Sequence, residues 1–334
     1  MNSYWKIIIA VFIVLHHFGC ASEPKGEFTE GVEIQTSQLP DALKNKFEIK
    51  DISDAPASEV AKEEKPSDDS KTKKTANLKK KSEEPKEAKG FQIPNRRPKI
   101  EPIWVGEKAD YDVTYFGVVA GKFTLEVKPH KYVNDRKVYH IYGQAKSSSV
   151  FSFVYSINDS LQSFIDYNGL YSHRFELKLD ESKQARDALE LFDSEKKESF
   201  YWDRWHHHNK GFIEKKEYAV MAPFSQDVIS SLYYVRGKEL NPGDQFTFPV
   251  VSEGKSWEAV INVVRREELK TPLGRLKTIV LRPEMKFHGK LKQQGDSFVW
   301  LTDDTRRHLI RVEAKVKIGA VVGMITALEP GSPP

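Results

Sequence analysis

The sequence predicts an all-β protein, mainly antiparallel, with a barrel-like or strongly curved sheet of about ten strands and one short amphipathic helix at about 225–236. Apolar and polar side chains alternate through most of the chain after residue 100. Short signals rich in Gly and Asn separate the alternating runs, as expected for turns between neighbouring strands. Because twist accumulates from strand to strand, we expect a sheet of this size to curl rather than stay flat.

The clearest hairpin covers residues 111–127, YDVTYFGVVAGKFTLEV. Apolar residues occupy every second position on both sides of a short turn at Gly117, so each predicted strand has one apolar and one polar face. This pattern is typical of a half-buried antiparallel hairpin. We expect the rest of the sheet to grow from it by adding neighbours.

Further strands are predicted wherever the two-residue period returns. They lie at 151–157, through 165, at 175–179, 196–203, 246–250, 257–263, 272–281, 298–301, 310–318 and 321–328. Asn158-Asp159 and Asn168-Gly169 are predicted turns between the earlier members.

The two-residue alternation is absent from one segment, 225–237, SQDVISSLYYVRG. Its apolar residues fall on one side at helical spacing, namely Val228, Ile229, Leu232 and Val235. Ser225 is placed to cap the start and Gly237 to close the end. We predict a short amphipathic helix laid on the sheet.

The chain begins with the features of an export signal. A segment carrying Lys6 precedes the apolar run 7–15, which is too short to span a bilayer, so residues 1–19 are interpreted as a signal peptide. Gly19 precedes Cys20, the single cysteine, and this arrangement resembles bacterial lipoprotein signal peptides, in which that cysteine is acylated. His17 and Phe18 depart from the Leu and small residue usual at those positions.

Acylation of Cys20 would hold the protein on a membrane, since each buried methylene contributes about 0.8 kcal/mol. Ala21 rather than Asp follows the cysteine, which by analogy with the sorting rule of enteric bacteria favours the outer membrane, facing the periplasm. An ordinary secreted protein with an unpaired thiol is the alternative.

Composition divides the chain into an extended N-terminal part and a folded part. Residues 61–90 mix Lys with carboxylates, Ser and Pro and contain one Leu, so they cannot bury enough apolar surface to order themselves. We therefore expect a lipidated N-terminus and disordered charged linker at 20–98, followed by a single β-rich domain at 99–330. A net charge of +4 over 334 residues gives no reason to expect nucleic acid.

Scattered motifs in the folded part resemble those of domain of unknown function 3108, a group of bacterial envelope proteins. They are Tyr115-x-Gly117…Ala120-Gly121, Asp227-x-x-Ser230-x-x-Tyr233-x-x-Arg236, Leu240-x-x-Gly243, Glu267…Thr271-x-x-Gly274 and Val299-Trp300-Leu301-x-Asp303. The resemblance covers about 105–328 and implies an exported β-rich domain without an established activity.

Charged residues on the predicted helix have two interpretations. Asp227 near its start and Arg236 near its end could grip a polar ligand. Both placements also complement the helix dipole, by about 0.3–1 kcal/mol each, which is a sufficient structural reason for them.

The only histidine cluster is Trp205-His206-His207-His208. Successive residues of a strand face opposite sides, so His206 and His208 could share one face as weak candidates for a zinc ion. The sequence contains no nucleophile elbow, phosphate-binding glycine loop or HExxH motif. We therefore expect no catalytic residues and no cofactor, with a metal-dependent hydrolase as a minor alternative.

Aromatic residues on the predicted strands are the remaining candidates for a binding site. Those singled out are Phe151, Phe153, Tyr155, Trp202, Trp257 and Trp300. Their ordinary role is to fill the core of a curved sheet. In a half-open barrel they would instead line an apolar cleft.

The sequence thus predicts a non-catalytic, lipid-anchored envelope protein whose β domain binds a lipid or another apolar, envelope-derived ligand. The alternative is a structural or scaffold protein that contacts a protein partner or peptidoglycan. A filled core with an exposed apolar patch on the outside favours the scaffold, and a hollow aromatic interior favours the ligand carrier.

Overall fold

The computed structural model of the protein describes residues 38–54, 91–209, 211–291, 297–316 and 318–334. The predicted signal peptide, Cys20 and residues 21–37 and 55–90 of the predicted linker lie outside the described residues. Helices are α1 (Asp41–Lys46), α2 (Ser149–Ser152) and α3 (Val228–Arg236), with a 3-10 turn at Ile52–Asp54.

Strands make up nearly all of the remaining regular structure. They are β1 (Glu107–Tyr115), β2 (Val118–Val133), β3 (Arg136–Ser147), β4 (Asn158–Asp166), β5 (Ser172–Glu181), β6 (Gln184–Asp193), β7 (Glu198–His207), β8 (Gly211–Val220), β9 (Gln245–Ser252), β10 (Lys255–Thr271), β11 (Gly274–Phe287), β12 (Lys290–Leu291), β13 (Ser297–Thr302), β14 (Leu309–Lys315) and β15 (Ala320–Pro330).

These strands form one antiparallel sheet in the order β8-β7-β6-β5-β4-β3-β2-β1-β15-β14-β13-β11-β10-β9, with β12 beside β11. The predicted all-β class is confirmed. Strands β1 to β8 pair in sequence order, β9 to β15 form a second sequential run, and β1 pairs with β15 to join the two runs. The strands at the two edges of the sheet are therefore β8 and β9, which are connected along the chain through α3. The first hairpin has the predicted faces, with Tyr111 opposite Phe123 and both buried.

Over the described residues the sheet has fifteen strands rather than about ten. The prediction lacked β3, β6, β8 and β12. Of these, β8, GFIEKKEYAV, is exposed along most of its length and has no apolar face. Backbone pairing with β7 holds it in place over its whole length. A two-residue apolar period detects half-buried strands, and strands held mainly by ladder hydrogen bonds escape it.

The curled sheet brings the β9–β10 turn against β6 and β8. The Gly254 amide donates to Glu190 Oε1 at 3.0 Å, and Ser256 Oγ donates to the Val220 carbonyl at 2.6 Å. Within the described ranges β8 and β9 share no backbone ladder, so the sheet is barrel-like without being closed. Side chains, not strand pairing, join its two edges.

Helix α3 begins after Asp227, not after Ser225 as predicted. Asp227 Oδ1 accepts the amides of Ile229 and Ser230 at 2.7 and 2.8 Å, while Ser225 Oγ donates to the Ala222 carbonyl. Gly237 ends the helix as predicted. The helix buries Ile229, Tyr233 and Val235 in the main core, between the two halves of the sheet.

A second core lies on the opposite, outer face of the sheet. Phe47, fully buried, packs there with Val138, Phe164, Leu191 and Phe200 of β3, β4, β6 and β7, as well as with Leu189, Trp202 and Val133. Their neighbours along each strand point into the main core, because side chains alternate across a sheet.

The segment 38–54 supplies this outer core, in contrast to the predicted disordered linker at 20–98. Lys46 Nζ lies 2.7 Å from Asp193 Oδ2, and Lys50 exchanges two backbone hydrogen bonds of 2.9 Å with Tyr132. The prediction failed because the segment is polar overall. Leu39, Leu43 and Phe47 nevertheless recur at every fourth position, a helical signal that would have found it.

The predicted strand at 151–157 is also wrong. Ser148 caps the short helix α2, accepting the amide of Phe151, and β4 starts at Asn158 where a turn was predicted. A run of serines precedes this point, and serine hydroxyls compete with strand pairing by bonding nearby amides.

Candidate functional site

The predicted aromatic candidates do not converge on one cleft. Trp202 is buried in the outer core, where its Nε1 donates to Glu214 Oε1 at 2.7 Å. Trp300 is buried in the main core, on the other face of the sheet, and Trp257 packs against that core while half-buried. These three side chains therefore fill two separate cores.

The other three aromatic candidates lie in the β3–β4 loop. Phe151 is half-buried, Tyr155 donates its hydroxyl to Glu181 Oε2 at 2.5 Å, and Phe153 is 90% exposed. Phe153 is thus the one candidate aromatic whose ring faces solvent.

Asp227 is a buried structural cap. In addition to the two helix amides, it accepts the hydroxyls of Ser163 and Ser172 at 2.7 and 2.6 Å. Burial raises the pKa of Asp227, while the Ser172 and Ser163 hydrogen bonds lower it. The carboxylate therefore ties α3 to β4 and β5.

Arg236 is likewise occupied within the fold. Its guanidinium contacts both carboxylate oxygens of Glu107 at 2.7 and 2.8 Å and donates to the carbonyls of Pro102 and Arg306. Burial opposes ionisation of Glu107, but Arg236, His308 and Arg306 together keep the pKa of that carboxyl below its usual value. Arg236 thus joins the end of α3 to β1 and the β13–β14 turn.

The histidine candidates lie at the end of β7 and just beyond it. His206 is opposite Ala185 and Phe212, and the His208 amide donates to the Lys183 carbonyl. In the part of the chain that the structure describes, no group of three His, Cys, Asp or Glu side chains is arranged to hold a metal ion.

A different feature emerges from three turns at one end of the sheet, a set of exposed apolar side chains that we call the apolar end. The turns are β1–β2, the β3–β4 loop and β14–β15. The side chains, with their exposed fractions, are Phe153 (90%), Val150 (73%), Val154 (67%), Ile318 (66%), Phe116 (65%), Val118 (55%) and Val119 (40%).

Hydrogen bonds hold the three turns together. Ser148 of the β3–β4 loop donates its amide to the Ala120 carbonyl at 2.8 Å and its hydroxyl to the Val119 carbonyl at 3.2 Å. On the other side, Tyr115 donates its hydroxyl to the Ile318 carbonyl at 3.0 Å. The three turns that present the exposed side chains are thus linked to one another at one end of the sheet, although they come from positions about 200 residues apart in sequence.

The β1–β2 turn presents Phe116 at some conformational cost. Phe116 and Gly117 have φ of 49° and 76°, the left-handed values of a two-residue hairpin turn. Asn, Asp or Gly is preferred at such positions, and a bulky aromatic residue there is uncommon. A strained residue that is also an exposed aromatic is a pointer to function rather than to stability.

Beneath the β3–β4 loop lies a buried carboxylate pair, Asp159 and Glu181. Tyr155 and Gln184 both donate to Glu181, and the Asp180 amide donates to Asp159 at 3.0 Å. Burial, and then the neighbouring Glu181 carboxylate, raise the pKa of Asp159 to about 8. A protonated Asp159 removes the repulsion within the pair at neutral pH and so anchors the base of the loop.

The apolar end contains no titratable or nucleophilic side chain among its seven members, so its chemistry is that of contact. Phe153 was found, but as a strand residue. Sequence analysis did not group the other six, because they belong to separate segments: Phe116, Val118 and Val119 lie in the first predicted hairpin, Val150 and Val154 in or beside the predicted strand 151–157, and Ile318 at the end of the predicted strand 310–318. None of the helices in the described ranges has the length and apolar content needed to cross a membrane.

No curated protein matches this chain. A β-barrel-like protein of domain of unknown function DUF1849 from Brucella abortus is 10% identical with a TM-score of 0.43, covering 68% of this chain and 98% of its own. A "putative lipoprotein" from Parabacteroides distasonis is 7% identical with a TM-score of 0.30, covering 72% of this chain and 100% of its own.

A "putative exported protein with YmcC-like fold" from Bacteroides fragilis is 13% identical with a TM-score of 0.26, covering 72% of this chain and 99% of its own. A family model, described as protein of unknown function (DUF3108), matches residues 110–326, which include every strand from β2 to β14. The chain therefore belongs to the DUF3108 family.

Proposed function

We propose that this protein is a non-catalytic, lipid-anchored component of the bacterial cell envelope whose β domain binds an apolar ligand through the apolar end. The observation that carries the proposal is the connected set of seven exposed apolar side chains on three turns. Single exposed apolar residues are ordinary, whereas a contiguous apolar surface marks an interaction site.

An external site fits the packing better than an internal one. The concave side of the sheet is occupied by large buried side chains, among them Tyr111, Phe123, Phe192 and Tyr233, and by α3. The predicted aromatic residues are shared between two cores. We therefore move the proposed ligand from the interior of the sheet to its end.

The energy available at this surface suits reversible binding. Full burial of a Val, Ile or Phe side chain contributes about 1.5–3 kcal/mol, so three of them supply about 4.5–9 kcal/mol before the cost of association. Such a surface binds weakly alone and needs a second attachment. An acyl group on Cys20 would raise the local concentration of envelope ligands at the domain.

The docked segment 38–54 determines how far the domain would reach from that anchor. The chain between Cys20 and Gln38 is residues 21–37, which can reach at most about 60 Å even if fully extended. A tether running to residue 98 could reach more than four times that distance. We infer that the β domain stays close to the membrane, with the outer membrane facing the periplasm as the expected location.

Detergent phase partitioning tests the proposal. The full chain carrying Cys20→Ser and expressed without its signal peptide has no acyl group, so partitioning into Triton X-114 would report the protein surface alone. We expect partial transfer into the detergent phase, reduced at least tenfold by the double substitution Phe153→Ser and Val154→Ser. Val220→Ser is the matched control, because Val220 is 85% exposed on β8 outside the apolar end.

Complete retention of the parent chain in the aqueous phase would contradict the proposal. Equal partitioning of the parent chain and the Phe153/Val154 variant would do so too, because the apolar end would then contribute nothing.

A scaffold that contacts a protein partner or peptidoglycan is the second candidate. Strand β8 favours it, since one of its edges has no strand neighbour among the described residues and the strand is exposed, as required for a partner strand to add there. Its charged residues Glu214, Lys215 and Lys216 protect that edge against nonspecific pairing. Crosslinking in cells from a photoreactive residue at 216 would capture such a partner, and no captured protein or wall fragment would exclude it.

A further inference from the structure

We propose that the partner of the apolar end is an anionic bilayer surface, with the exposed side chains in the interfacial region and a pair of lysines, Lys122 and Lys146, at the lipid phosphates. This inference rests on the proposed function, since it names the ligand of the same surface. Three features of the molecule lead to it: the lysine pair, its depth behind the turns and the residue types at the surface.

The lysine pair lies on the outer face of the sheet. Lys122 of β2 is directly opposite Lys146 of β3, and both are exposed. Like charges opposite each other on a sheet are destabilising. Asp112 of β1 is opposite Lys122 on its other side, yet neither lysine forms an ion pair or a side-chain hydrogen bond within the described residues. With Asp112 included, this row of β1, β2 and β3 has two positive charges and one negative charge, so the pair remains a net positive site.

The position of the pair matches the depth profile of a membrane interface. Lys122 follows Val119 by three residues, which places it about 10 Å behind the apolar end along the strand. Interfacial proteins bury apolar residues about 5–10 Å into the boundary between headgroups and acyl chains. Lysine stems extend along apolar surface and leave the ammonium in water, so both ammonium groups can reach the phosphates.

The residue types at the surface favour lipid over a protein partner. Protein interfaces are enriched in Trp, Tyr and Arg at their energetic centres and are depleted in Lys. The apolar end has Val, Ile and Phe on three exposed turns, and the cations nearest to it on β2 and β3 are lysines. Exposed apolar side chains insert between lipids without a matching pocket, whereas a protein partner must supply one.

Vesicle cosedimentation tests this inference with the unacylated full chain carrying Cys20→Ser. Two vesicle compositions are compared: phosphatidylcholine alone, and phosphatidylcholine with 30% phosphatidylglycerol, a composition we choose for the assay. We expect binding to the anionic vesicles to be at least tenfold tighter than to the neutral ones, and to weaken as salt is raised.

Two double variants separate the parts of the surface. Lys122→Gln with Lys146→Gln should weaken binding to anionic vesicles about 25-fold, since each lysine at such a surface contributes about 1 kcal/mol, or about fivefold. Phe153→Ser with Val154→Ser should weaken binding to both compositions. Lys270→Gln with Lys277→Gln is the charge-matched control, because both lysines are exposed and lie near the β10–β11 turn, at the opposite end of the sheet from the apolar end.

The outcomes distinguish this inference from the proposed function. If the parent chain partitions into detergent but binds neither vesicle, the apolar end has a protein or a free apolar molecule as its partner, and the bilayer inference is wrong while the proposed function stands. If the control double variant loses as much binding as the Lys122/Lys146 variant, net charge rather than this site directs binding, and the inference is again wrong. Thermal unfolding of each variant within about 2 °C of the parent is the check that folding is unchanged.

Discussion

Replacing Phe47 with Ala tests whether the segment 38–54 is part of the folded domain. The Phe47 side chain is fully buried, and its carbonyl accepts a 2.9 Å hydrogen bond from Arg174 Nη1 of β5. It is the central contact between the N-terminal segment and the outer face of the sheet. The substitution removes that contact without touching the apolar end.

The expected cost follows from burial. Truncating a buried Phe to Ala typically costs 3–5 kcal/mol, from lost transfer free energy and from the cavity that remains. If docking becomes unfavourable, the segment 38–54 can leave the sheet, so the substitution cannot cost more than the free energy of docking. We therefore expect a loss of stability of about 3 kcal/mol, at the lower end of that range. For a domain of this size, that corresponds to a decrease in Tm of about 6–12 °C.

Chemical denaturation followed by circular dichroism would measure this change. Ile52→Ala is the matched control: Ile52 belongs to the same segment and is 50% exposed, so its loss should cost less than about 0.5 kcal/mol. A chain starting at residue 91 lacks the whole segment, so its loss of stability is the upper limit for the cost of Phe47→Ala. If Phe47→Ala costs less than 1 kcal/mol, or if removing residues before 91 has no effect on stability, the docking of 38–54 does not stabilise the domain and our reasoning is refuted.

Three further predictions concern the anchor and two buried carboxyls. Cys20→Ser should release the protein from the membrane fraction of cells, and unchanged fractionation would disprove acylation. Glu107→Gln should cost about 3–5 kcal/mol, because Arg236 is left buried with an uncompensated charge. The pKa of Glu107 is lower in the folded state than in the unfolded state. The stabilisation by Glu107 is therefore complete above the unfolded-state pKa and is lost as the pH falls through the folded-state pKa. Identical acid denaturation curves for the parent chain and the Glu107→Gln variant would contradict this prediction. Burial raises the pKa of Glu190 to about 8, although two backbone hydrogen bonds lower it. Between about pH 4.5 and 8 the folded state therefore binds a proton that the unfolded state has lost, and the free energy of unfolding should fall as the pH rises through this range. Glu190→Gln keeps an acceptor for the Gly254 amide and should make that slope in unfolding curves clearly shallower. Asp159, whose pKa is raised to about 8 as well, supplies the slope that remains. A slope as steep as that of the parent chain would contradict the assignment to Glu190.

The class of the fold could be predicted because its signal is local. In the hairpin of β1 and β2, alternate side chains face the core and the solvent. The sequence around Tyr111 and Phe123 is therefore enough to predict both strands. Strand β8 shows no such alternation because neither of its faces is buried, and it is a strand only because it pairs with β7.

Helix α3 illustrates the limit for boundaries. Ser225 and Asp227 are both good capping residues, and the sequence offers no reason to prefer one of them. The choice is made by Ser163 and Ser172, which donate to Asp227 from β4 and β5. A cap that also joins two strands is selected by packing.

From its own residues, the sequence determined the all-β class, the amphipathic helix, the family motifs and the expectation of an exported, anchored protein, because each depends on residue types within a short window. The tertiary structure alone decided the rest. It placed Phe47 in an outer core, split the aromatic residues between two faces and brought Phe116, Phe153 and Ile318 together at one end. These outcomes depend on which distant segments meet, and a contact between residues 100 or 200 positions apart leaves no periodic trace in either segment.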